Sequence, residues 1–165
     1  MAASVWSAFW LLPVALPICI WVAFSDLSRM KIPNIAVMAL FGAFIVVGPI
    51  ALPFEEYLWR ILMSGAVLFF GFIIYQFGGI GAGDIKFIAA MTPYFHGQDL
   101  SIILFLAAAT LLGAAATHRI ARRIPAIRRA TPEWISWDHK KFPMGLALTG
   151  LLIFYLILAA IYGQP

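Results

Sequence analysis

The chain has 165 residues, 64% of them hydrophobic and only 11% charged, and its mean hydropathy is +0.97. Soluble domains are about half apolar, so this excess, gathered in blocks of roughly 20 residues, excludes an ordinary soluble domain and indicates an integral membrane protein. The net charge of +4 is concentrated in one loop between apolar segments, which argues against a nucleic-acid-binding arm; Cys19 stands alone, which excludes an intrachain disulfide and a cysteine zinc site.

The first apolar segment covers about Val5 to Phe24. Pro13 and Pro17 lie inside it, and a kink is expected there. No Lys or Arg occurs in residues 1–25, so the positive region of a cleavable signal peptide is missing and the segment is expected to remain as a span. Cys19 reads as a small apolar helix residue. Asp26 follows the segment near its C-terminal end, where the helix dipole disfavours an anion. Arg29 or Lys31 offers it a surface ion pair of small worth.

The second segment runs from about Pro33 to Leu52, with Pro33 suited to a first helical position. The third covers about Tyr57 to Phe77. The run Gly78-Gly79-Ile80-Gly81-Ala82-Gly83 then leads to Asp84, which reads on its own as a helix N-cap. The fourth segment, about Ile85 to Phe95, is too short to span alone at roughly 1.5 Å per residue. It is expected to tilt at a thinned site, to begin below the surface, or to be re-entrant. The fifth covers about Leu100 to Thr117 and the sixth about Phe142 to Tyr162. Between them, 118–142 is a basic loop, an anchor for anionic lipid, with Trp134 and Trp137 expected at the interface and His118 and His139 solvated. The fold expected is all-α, a single polytopic membrane domain over 1–165 with about six transmembrane helices.

If the fourth segment crosses, ten of the eleven basic residues share one side: Arg29, Lys31, Lys86, Arg119, Arg122, Arg123, Arg128, Arg129, Lys140 and Lys141. Only Arg60 falls on the other, with Glu55, Glu56 and Asp99. The positive-inside rule then puts both termini outside and both Asp26 and Asp84 on the cytoplasmic face.

That pairing carries chemistry. An acid beside membrane segments is expensive unless paired or used, and these are the only acids of that face outside the 118–142 loop. Two carboxylates brought close share a proton; the ionised one accepts a proton from water and the protonated one polarises a carbonyl, which is the logic of an aspartic protease. The preceding glycines let an extended backbone approach. Lys86 reads as another inner-face anchor, or as a group that tunes the pair or contacts substrate. No His-rich metal pattern, G-x-S-x-G context or phosphate loop offers another set, so neither metal nor cofactor is expected.

Three segments resemble a known family. Asp26-Leu27-Ser28-Arg29-Met30-Lys31-Ile32-Pro33-Asn34 resembles the first-aspartate region of type IV prepilin peptidases, Gly81-Ala82-Gly83-Asp84-Ile85-Lys86 their G-x-G-D-x-K motif, and Pro143-Met144-Gly145-Leu146-Ala147 their P-x-G-x-A segment. The resemblance implies a GxGD-type aspartic endopeptidase of the bacterial inner membrane. Its substrates are prepilins or pilin-like pseudopilins, whose short basic leader it removes after a glycine at the cytoplasmic face. Asp26 and Asp84 match the family's catalytic pair, and Gly81 and Gly83 its glycines. Arg29, Pro33, Asn34, Lys86, Pro143 and Gly145 are carried over as substrate-binding or supporting positions. Met144 stands where an aromatic is more usual. The link between the first two segments is a short turn with no cysteine-rich domain, as in the short members that serve tight-adherence (Flp-type) pili. Cleavage without the zinc domain is expected, and N-methylation is left open. The other readings are a non-catalytic membrane assembly factor, a small transporter with proton-carrying acids, and a presenilin-like protease.

Overall fold

The structure is a computed structural model and describes residues 1–139 and 141–165. Lys140, one of the ten cations counted above, lies outside the described residues. The chain forms α1 (Val5–Arg29), α2 (Asn34–Ala51), α3 (Phe54–Gln76), α4 (Ala82–Met91), α5 (Leu100–Arg123), α6 (Pro125–Ala130) and α7 (Met144–Tyr162), with short 3-10 turns and no β-strand among the described residues. The expected all-α polytopic fold is what is found. Helices α1, α2, α3, α5 and α7 are each long and apolar enough to cross a bilayer. In lipid the helix satisfies its own backbone, so a run of apolar residues has little alternative.

The sixth passage is built differently. Helix α4 rises only about 15 Å over its 10 residues. The chain continues through 3-10 turns at Thr92–Tyr94 and Gly97–Asp99. Asp84 starts this stretch at the end of the bundle that holds Asp26. At its finish Asp99 accepts the Ala2 and Ala3 N–H groups, beside the start of α1. The stretch therefore connects the two ends of the bundle and is not re-entrant. Side chains of neighbouring helices hold it: Ser64 donates to the Ala89 carbonyl (2.7 Å), Arg60 to the Pro93 carbonyl (3.1 Å) and Tyr94 to the Leu40 carbonyl (2.8 Å). Such bonds matter most where no water competes.

Helix α1 is the axis of the core. Leu11, Ala15, Cys19 and Val22 are buried, as are Leu152, Tyr155, Leu156 and Ala159 of α7, the helix packed most extensively against α1. Outward-facing Phe9, Phe69 and Phe105 are exposed, as suits a molecule whose solvent is lipid.

Several local expectations need correction. Pro13 and Pro17 do not break α1, which packs along α7, and a bend at them is compatible with this continuity. Pro33 is the N-cap of α2, one position ahead of the first helical residue, and its carbonyl accepts the Ala36 and Val37 N–H groups. Helix α5 continues past Thr117 to Arg123. His118 is buried, not solvated: it stacks on Trp137 (centroids 5.1 Å apart) and meets the edge of Phe142. Trp137 is itself buried, stacked on Trp134 with ring centroids 5.5 Å apart.

Candidate active site

Asp26 lies in the last turn of α1. The helix ends because Met30 takes a left-handed conformation (φ 54°), its N–H closing on the Asp26 carbonyl. The Ser25 hydroxyl donates to the Lys31 carbonyl at 2.9 Å and fixes the turn. Asp26 is buried, and its Oδ2 accepts the Gly145 N–H at 2.6 Å. That N–H belongs to the first turn of α7, whose amides have no partner within their own helix and present the positive end of its dipole. A Cβ on Gly145 would stand 2.9 Å from Oδ2 and 3.0 Å from Cβ of Asp26, so only glycine allows this approach. Pro143, fully buried at the N-cap of α7, sets the entry angle.

Asp84 lies in the first turn of α4, where the helix dipole favours an anion. It is not the cap; Gly81 is. The position equivalent to Cβ of Gly81 is 2.7 Å from the Asp84 Oδ2, so the carboxylate folds back over the cap residue. Gly78 and Gly79 adopt φ of 81° and 100°, a reversal open mainly to glycine, and deliver the chain from α3 into α4. Gly83 packs against Ile32, joining the start of α4 to the turn between α1 and α2.

Both carboxylates line one cavity of about 620 Å³. Gly81, Gly83, Lys86 and Asn34 line it as well, and Lys86 Nζ donates to Asn34 Oδ1 at 3.2 Å. Its size is that of an ordinary ligand site. Arg29 is exposed and does not border it, and Pro33 and Pro143 act behind it as helix caps. The ion pairs among the described residues are Arg60 and His96 with Glu56, and Arg122 and Arg128 with Asp138. Neither Arg29 nor Lys31 therefore pairs with Asp26; the Gly145 N–H takes that place. Sequence reasoning did not place Lys141, His139 and Met30 at the site, and they also line the cavity. Lys141 and His139 come from the basic loop and have no periodic signal. Their one cue is nearness to the Pro143-Met144-Gly145 segment.

Such a chamber can hold an extended peptide and a water between two acids, one at the end of a helix and one at the start of another. Glu56, Arg60 and Asp99, bound to their own partners, lie at the other end of the bundle.

The sequence pattern of the type IV leader peptidase family matches residues 13–117, well over half of the chain and a stretch that includes both Asp26 and Asp84. No curated protein and no solved structure matched the chain. With five apolar helices of spanning length, the chain is a multi-pass membrane peptidase and belongs to the type IV leader peptidase family.

Proposed function

We propose that the chain is an aspartic endopeptidase of the bacterial inner membrane. It removes the leader of type IV prepilins or pilin-like proteins at the cytoplasmic face, with Asp26 and Asp84 as the catalytic pair. The observation that carries this reading is that the two acids, far apart in sequence, line one cavity with no cation at ion-pair distance among the described residues.

The pair works with one proton between two carboxyls. The ionised carboxylate takes a proton from water as the water oxygen bonds to the scissile carbonyl carbon. The protonated carboxyl gives its proton to the carbonyl oxygen. The resulting diol collapses as the C–N bond breaks: the carboxyl that took the water proton passes it to the leaving nitrogen, and a diol hydroxyl reprotonates the other. The pair returns to its starting state with one water consumed. Lys31, Lys86 and Lys141 border the cavity. They favour a neutral segment at the scissile bond and keep the cationic part of a leader outside. The short link between α1 and α2 supports a short-form enzyme of the tight-adherence kind, without a zinc domain.

The test is co-expression with a prepilin-like substrate, comparing wild type with Asp26→Asn and Asp84→Asn. Leader removal is read by gel shift and product mass, with membrane levels of each variant checked. Cleavage by wild type and by neither variant is expected. Cleavage by both variants at the wild-type rate would refute the pair.

A further inference from the structure

A second, smaller cavity of about 260 Å³ lies where α5 meets the 3-10 turn Ile135–Trp137. His118 and Ser136 line it, 9% and 1% exposed. The His118 Nε2 and the Ser136 Oγ have no hydrogen-bond partner among the described residues. A buried polar atom without a partner costs roughly 1–3 kcal/mol, and native proteins rarely leave two side by side. Stacking on Trp137 and contact with Phe142 hold the His118 ring in place.

Three cations share the lining with Ala115 and Phe142. Arg119, Arg122 and Lys141 border the cavity with His139. The acid within ion-pair distance of any of them among the described residues is Asp138, 3.9 Å from Arg122; it is 74% exposed and lies closer to Arg128, at 3.1 Å. Two orphaned buried polar groups beneath three exposed cations call for a ligand with several acceptor oxygens and a negative charge. A carboxylate offers two oxygens in one plane; a lipid phosphodiester offers two charged oxygens and its ester oxygens besides, in a tetrahedral arrangement that suits both guanidinium forks and single N–H or O–H donors. Trp134 and Trp137 stand beside the cavity, the side chains that commonly mark the level of lipid headgroups.

The geometry points to a phosphate-binding site formed by His118, Ser136, Arg119 and Arg122, filled in the membrane by the headgroup of an anionic phospholipid. This is more than the general attraction of a basic loop for a charged surface, because it assigns one site built around the buried His118 and Ser136. It also stands whether or not Asp26 and Asp84 cleave peptides.

The full chain, delipidated in neutral detergent, is titrated with phosphatidylglycerol, phosphatidylcholine and inorganic phosphate, and bound molecules are counted by native mass spectrometry. One phosphatidylglycerol per chain is expected to be retained, at least about tenfold more tightly than phosphatidylcholine. Ser136→Ala and the double variant Arg119→Gln/Arg122→Gln are each expected to weaken it several-fold. Ser136→Ala is the sharper test, since it removes no charge and leaves no buried orphan that could unfold the chain. Displacement of the lipid by inorganic phosphate supports the site and assigns recognition to the phosphate group itself, so that free phosphate also fills it. Retention against phosphate supports the site with the lipid as its source. Equal retention of the two lipids, or wild-type affinity in Ser136→Ala, overturns the proposal.

Discussion

Gly145 sets the position of Asp26. Its N–H reaches the carboxylate only because no side chain intervenes, and a methyl group there would press on three Asp26 atoms within 3.1 Å. Gly145→Ala is expected to overpack a site worth about 1–3 kcal/mol of strain and to cut cleavage by about 10²-fold through misplacement alone. Comparison of its cleavage rate and its helical circular dichroism with wild type checks this; full activity would show that the contact does not position the acid. Asp26, Asp84 and the glycines of the run were legible in the sequence because acids and glycines are conspicuous against an apolar background. The contact between Asp26 and Gly145 was not, because it joins residues 119 positions apart and its donor is a backbone amide that any residue but proline carries.

At the scale of elements, the short passage through α4 was legible as an anomaly but not as a solution. The sequence offered tilting, a late start or re-entry; what completes the passage is irregular backbone held by polar side chains. Asp99 is its terminal lock. It accepts the Ala2 and Ala3 N–H groups, and its Oδ2 also accepts the Tyr155 hydroxyl at 2.9 Å. The Tyr155 oxygen in turn accepts the His96 N–H at 2.8 Å. Tyr155→Phe would leave that amide unpaired and the buried carboxylate short of a donor, at an expected cost of about 1–3 kcal/mol. Denaturation in detergent would report the loss, while cleavage under folding conditions should stay near wild type, since the lock lies at the far end of the bundle from Asp84. Unchanged stability would mean that the lock contributes little. His118 was misjudged for a similar reason: a histidine beside arginines reads as solvated until the tryptophan that covers it is placed in space.

For the whole molecule, the proposed function carries an orientation, taken from the charge count across six passages, in which the basic loop and the aspartate cavity face the cytoplasm. Cys19 is the only native cysteine and is buried, so single added cysteines can report sidedness against a silent background. Gly97→Cys is expected to react with a membrane-impermeant maleimide in intact spheroplasts, and Arg129→Cys only after permeabilisation. The opposite pattern would invert the orientation and place the cavity outside. The hydrogen bond that links α1 to α7 also bears on how such a molecule is made. A chain threaded into the membrane from its first residue delivers Asp26 early and its amide donor with the last passage, so the acid remains unanchored while the four passages between them insert. With Asp26 as a catalytic acid, as proposed, proteolytic competence belongs to the finished chain alone: a nascent or prematurely ended product carries both aspartates and is still harmless to its neighbours in the bilayer.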